Sequence, residues 1–438
     1  MRSLTSTLVL LAILGGLVGY IYYDNGKTPD GTPATEKVFS IAEDKIDELQ
    51  IKSSGGETTR MQKVGENWQQ VEPETIAADE AAVKAITANV TMAQVQRVID
   101  EKPTDVAQYG LNPARIEVGF RLKDQKNFQR LLVGEKTPTG TELYAKLPDQ
   151  PRVFLISSGL EADFNKSPFN LRDKTVLKIE SDQVDSLEIS DAKASLIFTR
   201  EGSSWRLVKP FAARADFSEV QSLLSRVAAA KMQKIVAAAP PSLRPYGLDK
   251  PRLTAVIGTG SARATLLFGE PEVDGAPFAK DAARPLVFTL EQSLIADFSK
   301  PAGDFRRKDL LDMRPYTADH VELRRGKDTL TLEKTTAADG KSTWKNGAGK
   351  VLDTAKVEEV LTKLVMARAT SFETTVHPSL KTPVLTVFAR FEEGKKTETL
   401  NFSRAGADAY ANRPDEPGSA KVDQATLGDA LKAADGLQ

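Results

Sequence analysis

The sequence predicts an α+β architecture: an N-terminal transmembrane helix followed by three tandem repeats of an antiparallel-sheet-plus-helix domain. Three observations carry that prediction. An uncharged run opens the chain, its three tryptophans recur at a nearly constant interval, and each tryptophan sits in the same order of strand-like and helix-like segments. At 438 residues the chain also exceeds the usual single-domain range.

The opening run comes first. Leu4 to Tyr23 contains no charged residue. About 20 residues at a helical rise of about 1.5 Å span a hydrocarbon core of about 30 Å. A cleavable signal peptide is the rival reading, but its apolar region is usually about 7–15 residues and ends in a small-x-small site. Here bulky Tyr20, Ile21, Tyr22 and Tyr23 occupy that place, which favours a retained anchor at 4–23. Arg2 precedes the run, while Asp24 and Asp30 follow it with Lys27. The positive-inside rule then makes residues 1–3 a cytoplasmic stub. It places the bulk of the chain in the periplasmic or other extracytoplasmic space, tethered by a single pass through the inner (cytoplasmic) membrane. Gly15 and Gly19 form a G-x-x-x-G pair with Gly16 beside it. Such a stripe lets a second membrane helix pack closely, although glycine is also common in spans generally. Residues 24–37 are rich in Pro, Gly, Thr and charge without apolar periodicity, and read as a flexible linker.

The repeat follows. Trp68, Trp205 and Trp344 are 137 and 139 residues apart. Asp79, Asp216 and Asp353 recur at 137, as do Val83, Val220 and Val357. Tyr109-Gly110-Leu111 returns as Tyr246-Gly247-Leu248, and Leu131-Leu132-Val133-Gly134-Glu135 as Leu266-Leu267-Phe268-Gly269-Glu270. These landmarks divide the chain into repeats at 38–174, 175–308 and a divergent 309–438, where Ser379-Leu380-Lys381-Thr382-Pro383 stands in for Gly247-Leu248-Asp249-Lys250-Pro251. In the second copy, alternation marks strands at 186–189, 195–199 and 205–208. Phe217, Val220, Leu223, Leu224 and Val227 then keep helical spacing behind Asp216, an N-cap with Glu219 placed as in a capping box. A Pro-containing loop leads to about four more strands and a short closing helix at 292–298. Strands joined by short turns favour an antiparallel sheet. A strand Trp most simply packs a core, the repeated Asp caps a helix, and the Tyr-Gly-Leu loop fixes a turn through glycine's freedom at positive φ.

Little in the chain points to chemistry. Lys plus Arg number 59 and Asp plus Glu 60, a balance that offers no electrostatic case for nucleic acid. Without a single cysteine, disulfides, thiol catalysis, thiolate zinc sites and iron–sulfur clusters are excluded. His320 and His377 both fall in the third copy, with no acidic partner at a recognisable spacing. Gly258-Thr259-Gly260-Ser261 lacks the rest of a dinucleotide fingerprint and reads as a hairpin turn. Gly347-Ala348-Gly349-Lys350 lacks the first half of a P-loop. No cofactor or metal is called for, and a carboxylate pair of glycosidase type stays open as an alternative.

The anchor, the strand–Trp–helix opening, the Tyr-Gly-Leu segment and the Gly-Glu turn together resemble the bacterial domain of unknown function 4340 family. The closes Leu171-Arg172-Asp173-Lys174 and Phe305-Arg306-Arg307-Lys308 fit as well. Members are commonly encoded beside ABC-transporter components of the gliding-motility type, and the family brings no established activity or catalytic residue. The resemblance thus implies a non-catalytic accessory or scaffold protein of an ABC-type transport or envelope assembly, with membrane-protein partners and the lipid bilayer as its surroundings. Two rival readings remain: an envelope hydrolase working through carboxylates, and a protein that binds lipid or another apolar ligand.

Overall fold

The computed structural model describes residues 36–123, 125–337 and 342–437. The anchor at 4–23, with Gly15, Gly16 and Gly19, and all but the last two residues of the 24–37 linker lie outside the described residues. Among the described residues no helix is long and apolar enough to cross a membrane. The chain divides after Lys174 into two compact units, the first holding one sheet and the second two.

The first sheet has nine strands: β1 (Ile46–Lys52), β2 (Thr58–Val64), β3 (Asn67–Glu72), β4 (Ile76–Ala77), β5 (Arg97–Asp100), β6 (Ile116–Leu122), β7 (Gln129–Lys136), β8 (Glu142–Lys146) and β9 (Val153–Ser157). Their order is β4-β3-β2-β1-β6-β7-β8-β9-β5, and every neighbouring pair is antiparallel. Tight turns give the first four strands as a meander. Helix α1 (Glu80–Met92) then carries the chain to the opposite edge, so β5 ends beside β9 while β6 returns to the centre against β1. Leu49 and Ile51 of β1 are buried on one face of the sheet, and Val83, Ile86, Thr87 and Val90 are the buried residues of α1. Residues spaced by three and four on a helix share one side, so a single stripe meets the sheet.

The same strand order recurs in the sheets of repeats 2 and 3. Their long helices are Phe217–Ala229 and Thr354–Val365, each burying four apolar residues. Each repeat has its own core, containing Trp68, Trp205 or Trp344. The closing helix is short in the first two repeats, at Glu161–Phe164 and Gln292–Phe298, and runs twelve residues in the third, Gln424–Asp435.

Two strands per repeat go beyond the sequence expectation. Ile76–Ala77, Ala213–Arg214 and Val351–Leu352 are edge strands of two residues, too short for any alternation. Arg97–Asp100, Lys234–Ala237 and Ala369–Glu373 lie in the segment read as loop, and pair only with the last strand of their own sheet. One further contact recurs at each repeat's entry. Lys37, Thr175 and Asp309 form isolated bridges to Gln94, Lys231 and Arg368, just beyond the long helix.

Candidate functional site

The repeated residues take equivalent places in all three modules. Each tryptophan lies on the third strand of its sheet and is buried, with 9%, 2% and 1% of its surface exposed for Trp68, Trp205 and Trp344. Each repeated aspartate precedes the long helix and accepts hydrogen bonds from its first-turn amides. Asp79 Oδ1 accepts from Ala82 N at 3.1 Å, Asp216 Oδ1 from Ser218 N at 2.9 Å, and Asp353 Oδ1 from Ala355 N at 2.9 Å. The capping box expected at Asp216 does not close. The Asp216 amide donates to the Phe305 carbonyl at 2.7 Å instead, and Glu219 pairs with Lys300 at 3.1 Å. The chain's return past the helix start supplies an acceptor that the local sequence does not reveal.

The Tyr-Gly-Leu loop and the Gly-Glu turn, far apart in sequence, form one clasp. Gly110 and Gly247 sit at φ of 69° and 65°, and a Cβ on either would press into Glu135 or Glu270. A Cβ on Gly134 or Gly269 would collide with the carbonyl oxygen of Tyr109 or Tyr246. Backbone therefore crosses backbone where only glycine leaves room. The tyrosine ring then rests against an aromatic on the next strand: Tyr109 against Tyr144 at 4.9 Å between centroids, and Tyr246 against Phe278 at 5.2 Å. The third repeat rebuilds the clasp with other residues. His377 stacks on Tyr410 at 3.8 Å, and Ser379 Oγ meets Ser403 Oγ at 2.6 Å.

The histidines are partnered. His377 Nδ1 lies 2.8 Å from Ser379 Oγ and accepts from the Ser379 amide. His320 Nε2 lies 3.1 Å from Glu322 Oε1, a partner two residues along the same strand that the sequence reading passed over. Residues i and i+2 of a strand share a face. Among the described residues no group of three or more His, Cys, Asp or Glu side chains is arranged to hold a metal ion.

Among the described residues, a dense gathering of ionisable groups lies between repeats 2 and 3, within the second compact unit, beside a cleft of about 750 Å³. Glu416, on the turn between the last two strands of repeat 3, is its centre. The Glu416 carboxylate accepts from Arg214 N at 3.1 Å, Arg214 Nε at 2.7 Å and Arg306 Nη2 at 2.9 Å, both arginines belonging to repeat 2. Arg306 also donates to the Pro417 carbonyl at 3.1 Å and lies 4.1 Å from the centre of the Phe372 ring. Arg214 reaches on to Asp312 at 2.9 Å and the Leu310 carbonyl at 3.3 Å. Behind them, buried Glu398 accepts from the amides of Asp312 and Met313 and from Arg413 at 2.6 Å, which pins the entry of repeat 3 to its own sheet.

This arrangement favours the ionised form of Glu416 and Asp415. Burial by itself raises Glu416, yet Arg214 and Arg306 outweigh it and keep the carboxyl below the ordinary glutamate range. Asp415 follows the same balance, with burial opposed and overcome by Arg413. Proton donation near neutral pH calls for the reverse, a carboxyl lifted by its surroundings. The sequence reading singled out neither Arg214 nor Glu416. A signal existed in departures from the repeat: Arg214 stands 137 residues after Ala77, and Pro414-Asp415-Glu416-Pro417 parallels Pro148-Asp149-Gln150-Pro151.

A search of curated proteins finds no match. Among solved structures, the chain is similar to the DNA polymerase sliding clamp from Pseudomonas aeruginosa with ligand. Identity is 9%, covering 88% of this chain and 93% of that one, and the TM-score is 0.14. The DNA polymerase III subunit beta from the same organism gives 8% identity over 86% and 91%, with a TM-score of 0.17. Scores that low carry no argument. A family described as a domain of unknown function (DUF4340) matches residues 68–204 and again 205–384, so that both matches open on a landmark tryptophan. With most of its length matched in two successive copies, the chain belongs to the DUF4340 family.

Proposed function

We propose that this protein is a non-catalytic, membrane-anchored accessory or scaffold protein, working outside the cytoplasm in an ABC-type transport or envelope assembly. One observation carries the non-catalytic part: the charged groups gathered at the cleft are engaged with one another, and Asp415 and Glu416 are held below the ordinary carboxyl range. Glu416 is tied to Arg214 and Arg306 of the neighbouring repeat and Asp415 to Arg413 of its own turn, so these groups are spent on structure. Tandem modules supply an extended face for a partner without a deep pocket. The anchoring part rests on the uncharged run Leu4–Tyr23 and on the Gly15–Gly19 stripe as its packing surface.

Purification of the full chain in mild detergent, with mass spectrometry of what accompanies it, tests this reading. A membrane-embedded transport component is the expected companion, and Gly15→Leu with Gly19→Leu together should deplete it. Recovery of the chain with no membrane protein would contradict the proposal. Unchanged recovery of the companion from the double variant would remove the glycine stripe from it.

A further inference from the structure

We propose that Glu416 is a latch that holds repeats 2 and 3 as one body, and that opening it frees the two repeats while each keeps its own fold. The buried apolar residues of these repeats form two separate clusters, one around Trp205 and one around Trp344. What crosses between them at the cleft is polar. The Glu416 and Arg306 side chains expose only 8% and 5% of their surface, and Arg306 lies between Phe211 of repeat 2 and Phe372 of repeat 3.

A buried ion pair adds little over a well-packed apolar contact, but losing one partner is costly, because the other is left charged and dry. Here the loss of one carboxylate charge takes from buried Arg306 its carboxylate partner and leaves Arg214 with Asp312. Arg214 lines the cleft, whereas buried Arg306 gains solvent only when the repeats part. Apart from the Arg306 bond to the Pro417 carbonyl beside the latch, the other ties end within four residues of the junction, where they restrain a hinge least: Arg214 and Arg307 to Asp312, Arg214 to the Leu310 carbonyl, and the Ala369 amide to the Lys308 carbonyl. The Asp312 pairs are partly exposed, where ion pairs contribute little. The two cores have no such dependence on Glu416. Repeats 2 and 3 are thus each held by apolar burial within, and at the cleft they are joined mainly by charge.

The chain has no cysteine, so a labelled pair can be introduced cleanly. Exposed Lys193 and Lys327 lie on turns of repeats 2 and 3. In the full chain carrying Lys193→Cys and Lys327→Cys, spin labels should give one narrow distance distribution by double electron–electron resonance. Adding Glu416→Gln should abolish that single peak in favour of a broad spread, with far-ultraviolet circular dichroism unchanged. Asp415→Asn should keep the narrow peak, because Asp415 accepts its hydrogen bonds from Arg413 in its own turn. A narrow peak in Glu416→Gln would overturn the proposal, and so would equal broadening by the two variants. Loss of secondary structure in Glu416→Gln would overturn it as well, by showing that the cores lean on the latch.

Discussion

Gly134 and Gly269 show how one missing atom shapes a module. Each lies beneath a tyrosine carbonyl that a Cβ would strike, so the strand and the Tyr-Gly-Leu loop can cross only there. Gly269→Ala should destabilise the second compact unit by about 1–3 kcal/mol, the usual cost of forcing atoms into a packed place. The midpoint of urea unfolding, at constant slope, reads that change. The third repeat carries Ser403 nearby and meets Ser379 through a hydrogen bond, so its clasp is polar where its siblings' clasps are steric. Asp216 makes a smaller contribution. Asp216→Ala removes an acceptor from the amides of Ser218 and Glu219 and should cost about 1 kcal/mol, read in the same titration.

At the scale of elements, the paired strands and the long helices were legible from sequence because their periodicity is that of burial on one side. Leu187, Ile189 and Phe198 alternate inward, while Val220, Leu223, Leu224 and Val227 line one helical stripe. Ala213–Arg214 was illegible because two residues cannot alternate. Lys234–Ala237 was missed because its partner, Val287–Thr289, lies some fifty residues on. The charged joint was illegible for a related reason: Arg214, Arg306, Glu398 and Glu416 come from separate stretches and look like ordinary surface charges until the sheets assemble. Glu398 illustrates the consequence. It is 1% exposed in its side chain, and it holds the Asp312 and Met313 amides together with Arg413. Glu398→Ala leaves Arg413 with Asp415 alone and the Asp312 and Met313 amides without their acceptor, and should destabilise repeat 3 by about 1–3 kcal/mol, measured by the shift in its unfolding midpoint.

Across the whole molecule, the family match and the three sheets describe one module used three times, and a charged joint divides the two copies of the second compact unit. Acid should expose that division. Arg214 and Arg306 face Glu416 from repeat 2, while Asp312, Arg413 and Asp415 surround it from repeat 3. A carboxyl with a lowered folded value contributes stability above the ordinary glutamate range and loses it as pH falls through that lowered value. The joint should therefore persist at mildly acidic pH and loosen only below the ordinary glutamate range, followed by the same label pair. The repetition itself is open to a direct check through the three tryptophans. In three variants that each keep one of Trp68, Trp205 and Trp344, with the other two replaced by phenylalanine, all three should give blue-shifted emission and resist quenching by acrylamide. A single variant with red-shifted, readily quenched emission would place its tryptophan in a different environment and contradict the reading of one module in three copies.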